Sequence, residues 1–179
     1  MRRTIIAVAL LCAASFTATA VAASPHFKKG GEPVCTISSS SASSKSTTCT
    51  ATLAGLGNGD LNITTTVRGF AVYQCQNAGG NIAPGQNRVL VGPVTAPTTI
   101  PSGSIKNGSV TFTTNPAVLT APSTVSGSQA GCPNPNWTGV NPTLTVTSIE
   151  LSIAQGGTTL FNCSASNPSG LSGTVRLTC

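Results

Sequence analysis

The stretch GCPNPNWTGVNP, residues 131–142, contains the only tryptophan of the chain and has the chemistry of a sugar-binding surface. An exposed indole can stack against the apolar face of a sugar, and asparagine side chains nearby, including that of Asn141, can bond its hydroxyl groups. No second aromatic residue lies close in the sequence, so the fold would have to supply one. The candidate ligand-binding residues are therefore Trp137, Asn134, Asn136 and Tyr73.

The same tryptophan can instead be a core residue. Isolated tryptophans are usually highly buried, and Cys132 lies close before Trp137 in a loop stiffened by prolines. A disulfide from Cys132, most simply to Cys75, would pin this loop while Trp137 closes the edge of the core. The sequence favours this second interpretation and leaves the first open.

Catalysis by proton transfer needs a positioned acid or base, and the sequence offers few. The single histidine, His26, lies in a predicted tether. Asp60 falls in a predicted turn and Glu150 in a predicted strand, whereas a glycosidase needs two carboxyl groups in one cleft. We predict no catalytic residue and a non-enzymatic protein. The open alternatives are a hydrolase with an unrecognised site and a protease inhibitor that presents a rigid loop at 115–130.

The cysteines predict covalent cross-links. The chain has seven, and Cys12 lies in a predicted leader, which leaves Cys35, Cys49, Cys75, Cys132, Cys163 and Cys179. An even number in an exported chain indicates three disulfides formed in an oxidising compartment. We favour neighbouring pairs, 35 with 49, 75 with 132 and 163 with 179, although six cysteines allow many other connectivities. With one histidine left, we predict no metal site and no cofactor.

Residues 1–23 have the layout of a secretory signal peptide. Arg2 and Arg3 precede an apolar run that ends in small residues, which is the order of a cleavable leader. Its densest apolar part has about half the length that a membrane span needs, so an uncleaved anchor is the disfavoured alternative. We expect a secreted or cell-surface protein with no membrane span after cleavage, and residues 24–33 as a flexible tether.

Beyond the tether the hydrophobic period is two. Residues 61–75 alternate apolar and polar side chains, which predicts a half-buried strand. Phe70 and Val72 interrupt its polar face near Gly69, where we expect a bulge. We predict that this strand forms a hairpin with residues 47–54.

Further strands are marked by turn residues. Asn107-Gly108 predicts a two-residue turn, Pro93 predicts the end of a short edge strand, and three strands follow residue 142 with a bulge near Ser148. Helical spacing is not convincing anywhere after the leader. Residues 34–179 are therefore predicted to form one all-β domain, an antiparallel β-sandwich of immunoglobulin-like, Greek-key character with about seven to nine strands.

Charge argues against nucleic acid as a partner. Without Arg2 and Arg3 the chain keeps seven basic residues against three acidic ones, and only Lys28 and Lys29 are adjacent. Binding along a phosphate backbone needs clustered bases. The sequence identifies no partner, and it leaves a cell-envelope polymer or polysaccharide open as the partner class.

Three segments carry a resemblance: GLGNGD, QCQNAGGNIAPGQN and GCPNPNW. Together they resemble a group of uncharacterised small secreted bacterial proteins of actinobacterial type, over most of the chain from about Cys35 onward. The resemblance implies an exported, disulfide-bearing β-domain and transfers no activity. The leading hypothesis is a secreted structural or binding module, and the alternative is a module that binds a carbohydrate or small ligand through Trp137.

Overall fold

The computed structural model describes residues 24–179, so the predicted signal peptide lies outside the described residues. The regular secondary structure of this part is almost entirely β-strand, with one turn of α-helix and a 3₁₀ helix at Ser102–Ser104. The strands are β1 (His26–Phe27), β2 (Val34–Ser41), β3 (Ser44–Ala54), β4 (Leu61–Gln76), β5 (Ile82–Pro84), β6 (Val89–Ile100), β7 (Val110–Thr113), β8 (Ala117–Thr120), β9 (Val125–Ser126), β10 (Thr138–Gln155), β11 (Thr158–Leu171) and β12 (Gly173–Arg176), and the helix is α1 (Gly127–Ala130).

The strands form two antiparallel sheets, which confirms the predicted all-β sandwich. Sheet A has the order β12-β2-β3, with β7 and β8 along the far side of β3 and β1 continuing the line of β2. Sheet B has the order β11-β10-β4, with β5 and β6 along the far side of β4 and β9 beside the start of β10. The twelve strands exceed the predicted number because several positions in each sheet are filled by two short strands in line.

The core lies between the two sheets and consists mostly of aliphatic side chains. Alternation along β3, β4 and β10 buries one face of each strand, as strands with one solvated face require. The largest fully buried side chains are Tyr73, Leu53, Leu61, Ile63, Leu119, Ile149, Leu151 and Ile153.

Threonine supports the outer face of sheet A. The hydroxyl groups of Thr50 and Thr113 lie 3.1 Å apart across β3 and β7, and those of Thr52 and Thr111 lie 2.9 Å apart. Cross-strand hydroxyl pairs of this kind stabilise sheets. The threonine-rich composition therefore suits strands that present methyl and hydroxyl groups to solvent.

The predicted hairpin between residues 47–54 and 60–75 is wrong. β3 belongs to sheet A and β4 to sheet B, so the connection at 55–60 crosses the core edge instead of reversing within one sheet. Gln155 holds this crossing in place. Its side chain accepts a hydrogen bond of 3.0 Å from the backbone N–H of Gly57 and donates bonds of 3.0 and 2.9 Å to the carbonyl oxygens of Gly57 and Gly59.

The segment predicted as a tether is paired to the sheet. His26 and Phe27 form β1 against the end of β3, and the backbone N–H of Lys28 donates to the carbonyl oxygen of Thr52 at 3.0 Å. The ring of Phe27 lies 4.5 Å from that of Phe161, which comes from sheet B. The domain therefore begins before residue 34, because an apolar residue within the supposed tether packs between the sheets.

Both predicted bulges are present. The pairing of β4 with β6 shifts between Val67 and Gly69, where Gly92 and Pro93 of β6 together face Arg68. The pairing of β10 with β4 shifts between Val146 and Ser148. β6 is an edge strand, as predicted, but Pro93 does not end it. An edge strand can contain proline because its outer N–H groups need no partner in the sheet.

The predicted turn at Asn107-Gly108 is confirmed, with φ of 50° and 67° at its two central residues. All three favoured disulfides are also present, Cys35–Cys49 between β2 and β3, Cys75–Cys132, and Cys163–Cys179. The last one joins β11 of sheet B to the segment that follows β12 of sheet A. Each bridge contributes roughly 2–4 kcal/mol to the free energy of unfolding.

Candidate functional site

Trp137 lies in the loop between α1 and β10 and is partly buried against the hydrophobic core. Its backbone N–H donates to the carbonyl oxygen of Asn134 at 3.0 Å. Gly127 packs so closely on this loop that a Cβ atom there would lie 2.4 Å from the carbonyl oxygen of Trp137. The Cys75–Cys132 bridge ties the loop to β4. The indole is thus held at the edge of the core.

The other residues predicted for this site differ in exposure. Asn134 and Asn136 are exposed, and the side-chain oxygen of Asn134 accepts from the backbone N–H of Asn136 at 2.9 Å. Tyr73 is only 1% exposed, and its hydroxyl group donates to the carbonyl oxygen of Pro122 at 2.9 Å. The ring of Tyr73 is thus enclosed in the core, although the residue is among those that line the cleft described below, and its part in ligand binding stays a prediction.

The ionisable residues considered in the sequence lie far apart. Asp60 accepts a hydrogen bond of 2.8 Å from the backbone N–H of Ser102. Glu150 forms an ion pair of 2.6 Å with Arg68 on the exposed face of sheet B and lies opposite Thr66, which is about 20 Å along β4 from Asp60. The two carboxylates are not a pair in one cleft. His26 is exposed in β1 and contacts the carbonyl oxygen of Ser24.

Residues 24–179 contain neither a cluster of metal-ligating side chains nor a long apolar helix. No cluster of three or more His, Cys, Asp or Glu side chains in this part of the chain is placed to hold a metal ion. None of its helices is long and apolar enough to cross a bilayer.

The candidate site is an open cleft of about 940 Å³, and Trp137 does not line it. One wall is the tip of the β2–β3 hairpin, residues 41–43. Two backbone hydrogen bonds fix this tip. The N–H of Leu144 donates to the carbonyl oxygen of Ala42 at 2.8 Å, and the N–H of Ala121 donates to the carbonyl oxygen of Ser43 at 2.9 Å. This wall therefore docks on sheet B although it belongs to sheet A.

The opposite wall is β5, which pairs with the end of β4. The N–H of Gly85 donates to the carbonyl oxygen of Tyr73 at 2.9 Å. A Cβ atom on Gly85 would lie 2.6 Å from that oxygen and 2.7 Å from the carbonyl oxygen of Ala130, so only glycine allows this approach. Cys75 faces Ala83 in the pairing, and its bridge to Cys132 anchors this wall covalently.

The floor is shaped by a third irregularity in the sheet. Val140 pairs with Gln74, and Thr143 pairs with Val72. Asn141 and Pro142 of β10 therefore face a single residue of β4, Tyr73. Asn141 has φ of 49°, a left-handed conformation that asparagine adopts more readily than most residues. Its side-chain N–H donates to the Oε1 atom of Gln74 at 2.9 Å. The bulge thus fixes one amide against another inside the cleft.

The lining of the cleft contains no charged side chain. Its polar groups are hydroxyls and amides, from Ser41, Ser43, Gln74, Ser123, Asn141 and Thr143. Its apolar groups include Val72 and Ile82. These are two of the four large hydrophobic side chains that are exposed within residues 24–179. Binding sites for small ligands have this composition, with apolar surface and a few placed polar groups.

A second apolar patch continues along the same outer face of sheet B. Leu90 is 86% exposed and pairs with Phe70, which is two residues from Val72 on β4. The guanidinium group of Arg88 lies 4.3 Å from the centre of the Phe70 ring and donates to the carbonyl oxygen of Pro168 at 3.0 Å. Arg88 thereby covers the aromatic ring, and Leu90 stays exposed at its side.

The sequence alone does not predict this cleft. One signal is present, because Phe70 and Val72 break the polar face of β4. The sequence groups Asn141 with Trp137, and it gives no sign that Gln74 differs from any other polar residue of a strand. Only the fold brings the hairpin tip, β5 and the β10 bulge together.

No family model matches this chain, and no curated protein matches it. The resemblance to small secreted actinobacterial proteins therefore stays a prediction.

Proposed function

We propose that this protein is a secreted, non-enzymatic binding module and that the cleft at 41–43, β5 and the β10 bulge takes a neutral polysaccharide of the cell envelope. The observation that carries the proposal is the uncharged lining of the cleft, which combines hydroxyl and amide groups with exposed aliphatic side chains. Sugars offer the matching surfaces, since their rings have hydroxyl edges and apolar C–H faces.

The construction of the cleft supports a role outside the cell. One of its walls is anchored by a disulfide, and two more disulfides brace the sheets. Disulfides persist in oxidising surroundings. A binding site held by cross-links and backbone bonds loses little conformational entropy when a ligand binds. The immunoglobulin-like, Greek-key character predicted from the sequence is part of the same proposal, and the repeated crossing of the chain between sheets supports it.

Co-sedimentation tests the proposal. Purified oxidised protein would be mixed with insoluble cellulose, chitin, mannan and peptidoglycan, and the bound fraction measured. We expect retention on at least one polymer. Val72→Arg puts a long charged side chain into the cleft and should abolish retention.

A matched control uses the other sheet. Val118 is a valine of similar exposure on sheet A, so Val118→Arg adds the same charge away from the cleft and should leave retention unchanged. Retention on no polymer, or equal losses in the two variants, would overturn the proposal.

A second candidate site remains at Trp137, which is partly buried and has the exposed Asn136 beside it. Fluorescence distinguishes the two sites because Trp137 is the only tryptophan. A shift of its emission on adding a retained polysaccharide supports binding at Trp137. Unchanged emission together with loss of binding in Val72→Arg supports the cleft.

A further inference from the structure

We propose that the amide pair of Gln74 and Asn141 recognises the acetamido group of an N-acetylated sugar polymer. This inference rests on the proposed function, because it names the substrate class of the same cleft. It starts from the hydrogen bond of 2.9 Å in which the side-chain N–H of Asn141 donates to the Oε1 atom of Gln74.

That bond leaves the Nε2 donors of Gln74 and the Oδ1 acceptor of Asn141 free. Within residues 24–179 no side-chain hydrogen bond uses the Nε2 atom of Gln74 or the Oδ1 atom of Asn141. An amide side chain has two N–H donors and a carbonyl acceptor. The carbonyl oxygen of an acetamido group can accept from the Nε2 atom of Gln74, and the Oδ1 atom of Asn141 can accept from a neighbouring hydroxyl group of the same sugar.

Apolar surface flanks the amide pair on both sides along the sheet. Val72 lies two residues before Gln74 on the same face of β4, and Pro84 pairs with Gln74 across the ladder. Ile82 lies two residues before Pro84 on β5, pairs with Gln76 and is 47% exposed. The methyl group of an acetamido substituent therefore has aliphatic side chains to contact whichever way the sugar runs.

The surroundings favour a sugar over an extended peptide, although both contain amides. A peptide that adds to a sheet needs a free strand edge. At Gln74 the β4 strand is paired with β10 on one side and β5 on the other, so a peptide strand could add here only to the outer edge of β5, which is three residues long. The remaining polar groups of the cleft are hydroxyls, which include Ser123 and Thr143 and suit the hydroxyl groups of a carbohydrate.

The bulge at Asn141 makes the recognition rigid. Asn141 has a positive φ, and its side chain lines the floor of the cleft. The next residue is Pro142, whose ring restricts the backbone of the bulge. The amide is therefore held before the ligand arrives.

Titration followed by amide-resonance NMR tests the proposal with two soluble probes. Chitotetraose and cellotetraose share the same linkage and differ by the acetamido group in place of a hydroxyl group. We expect chitotetraose to shift the side-chain amide resonances of Gln74 and Asn141 and to bind at least tenfold more tightly than cellotetraose.

Two variants remove the amides without disturbing the backbone. Asn141→Gly keeps a residue that accepts positive φ, and Gln74→Thr places a good strand former at an exposed position of β4. Each should weaken chitotetraose binding by about fivefold to tenfold, as expected for one neutral hydrogen bond. Asn162→Thr, at an exposed amide of β11, is the matched control and should bind as the wild type does.

The outcomes separate this inference from the proposed function. Equal affinity for the two oligosaccharides, or binding of neither while a polymer is still retained in a manner sensitive to Val72→Arg, would overturn the acetamido inference and leave the cleft as a binding site. Unchanged affinity in both amide variants would overturn it as well. Retention on no polymer would remove both proposals.

Discussion

The hydroxyl group of Tyr73 donates a hydrogen bond of 2.9 Å to the carbonyl oxygen of Pro122. Tyr73 belongs to β4 in sheet B, and Pro122 lies in the segment that leads from β8 of sheet A to β9 of sheet B. A single buried side chain thus holds a crossing between the sheets, close behind the cleft.

Replacing this hydroxyl should destabilise the protein. Tyr73→Phe leaves the ring in the core and removes the donor to Pro122, so we expect the free energy of unfolding to fall by about 1–2 kcal/mol. Urea unfolding of the oxidised protein, followed by circular dichroism, measures the change. Stability equal to that of the wild type would mean that solvent satisfies the carbonyl oxygen equally well.

Alkaline pH should weaken the fold through the same residue. Burial raises the pKa of the Tyr73 hydroxyl above its ordinary value of 10.0, so the folded protein keeps this proton at pH values where the unfolded chain has lost it. The contribution of Tyr73 is therefore complete below about pH 10 and is lost as the pH rises through the folded-state pKa.

Absorbance of the tyrosinate measures that titration directly, because Tyr73 is the only tyrosine. We expect the midpoint to lie above pH 10.0 in the folded protein and close to it in urea. Tyr73→Phe is the control, because it removes the tyrosine and keeps every other ionisable group. A folded-state midpoint at or below that of the unfolded chain would contradict the prediction.

Two buried hydroxyl groups should cost stability. The Oγ1 atoms of Thr47 and Thr65 are enclosed in the core, and neither has a hydrogen-bond partner within the described part of the chain. Thr65→Val replaces an unbonded hydroxyl with a methyl group of similar size, so the free energy of unfolding should rise by about 1–2 kcal/mol. Thr64→Val, on the exposed face of the same strand, is the control and should change it by less than about 0.5 kcal/mol.

The disulfides should differ in their contributions. Cys75–Cys132 closes a separation of 57 residues and Cys35–Cys49 one of 14. Loop-closure entropy then gives about 4 kcal/mol for the first and about 3 kcal/mol for the second. Double replacement by alanine, Cys75→Ala with Cys132→Ala, should therefore lower the melting temperature more than Cys35→Ala with Cys49→Ala. The reverse order would show that strain or local packing outweighs chain entropy.

The sequence predicts well those features that depend on neighbouring residues. Alternation between residues 61 and 75 predicts the buried face of β4, and Asn107-Gly108 predicts its turn because few residues accept positive φ at two successive positions. The cysteine pairing is also local in two of the three bridges. These patterns are set by backbone sterics and by the period of a strand.

Features that depend on distant contacts were missed. The turn residues between β3 and β4 predict that the chain reverses there. Which sheet the next strand joins depends on distant contacts, such as that of Gln155 with Gly57, which is 98 residues away in the sequence. The candidate cleft has the same character, since its walls and floor come from separated segments. The spacing of residues along the sequence does not predict contacts between segments that are far apart in the chain.

Within residues 24–179 the three covalent bridges follow one another without overlapping, since Cys35 is joined to Cys49, Cys75 to Cys132 and Cys163 to Cys179. An oxidase that paired these six thiols strictly in their order along the polypeptide would form the native set, with no mispaired bridge to be broken and remade.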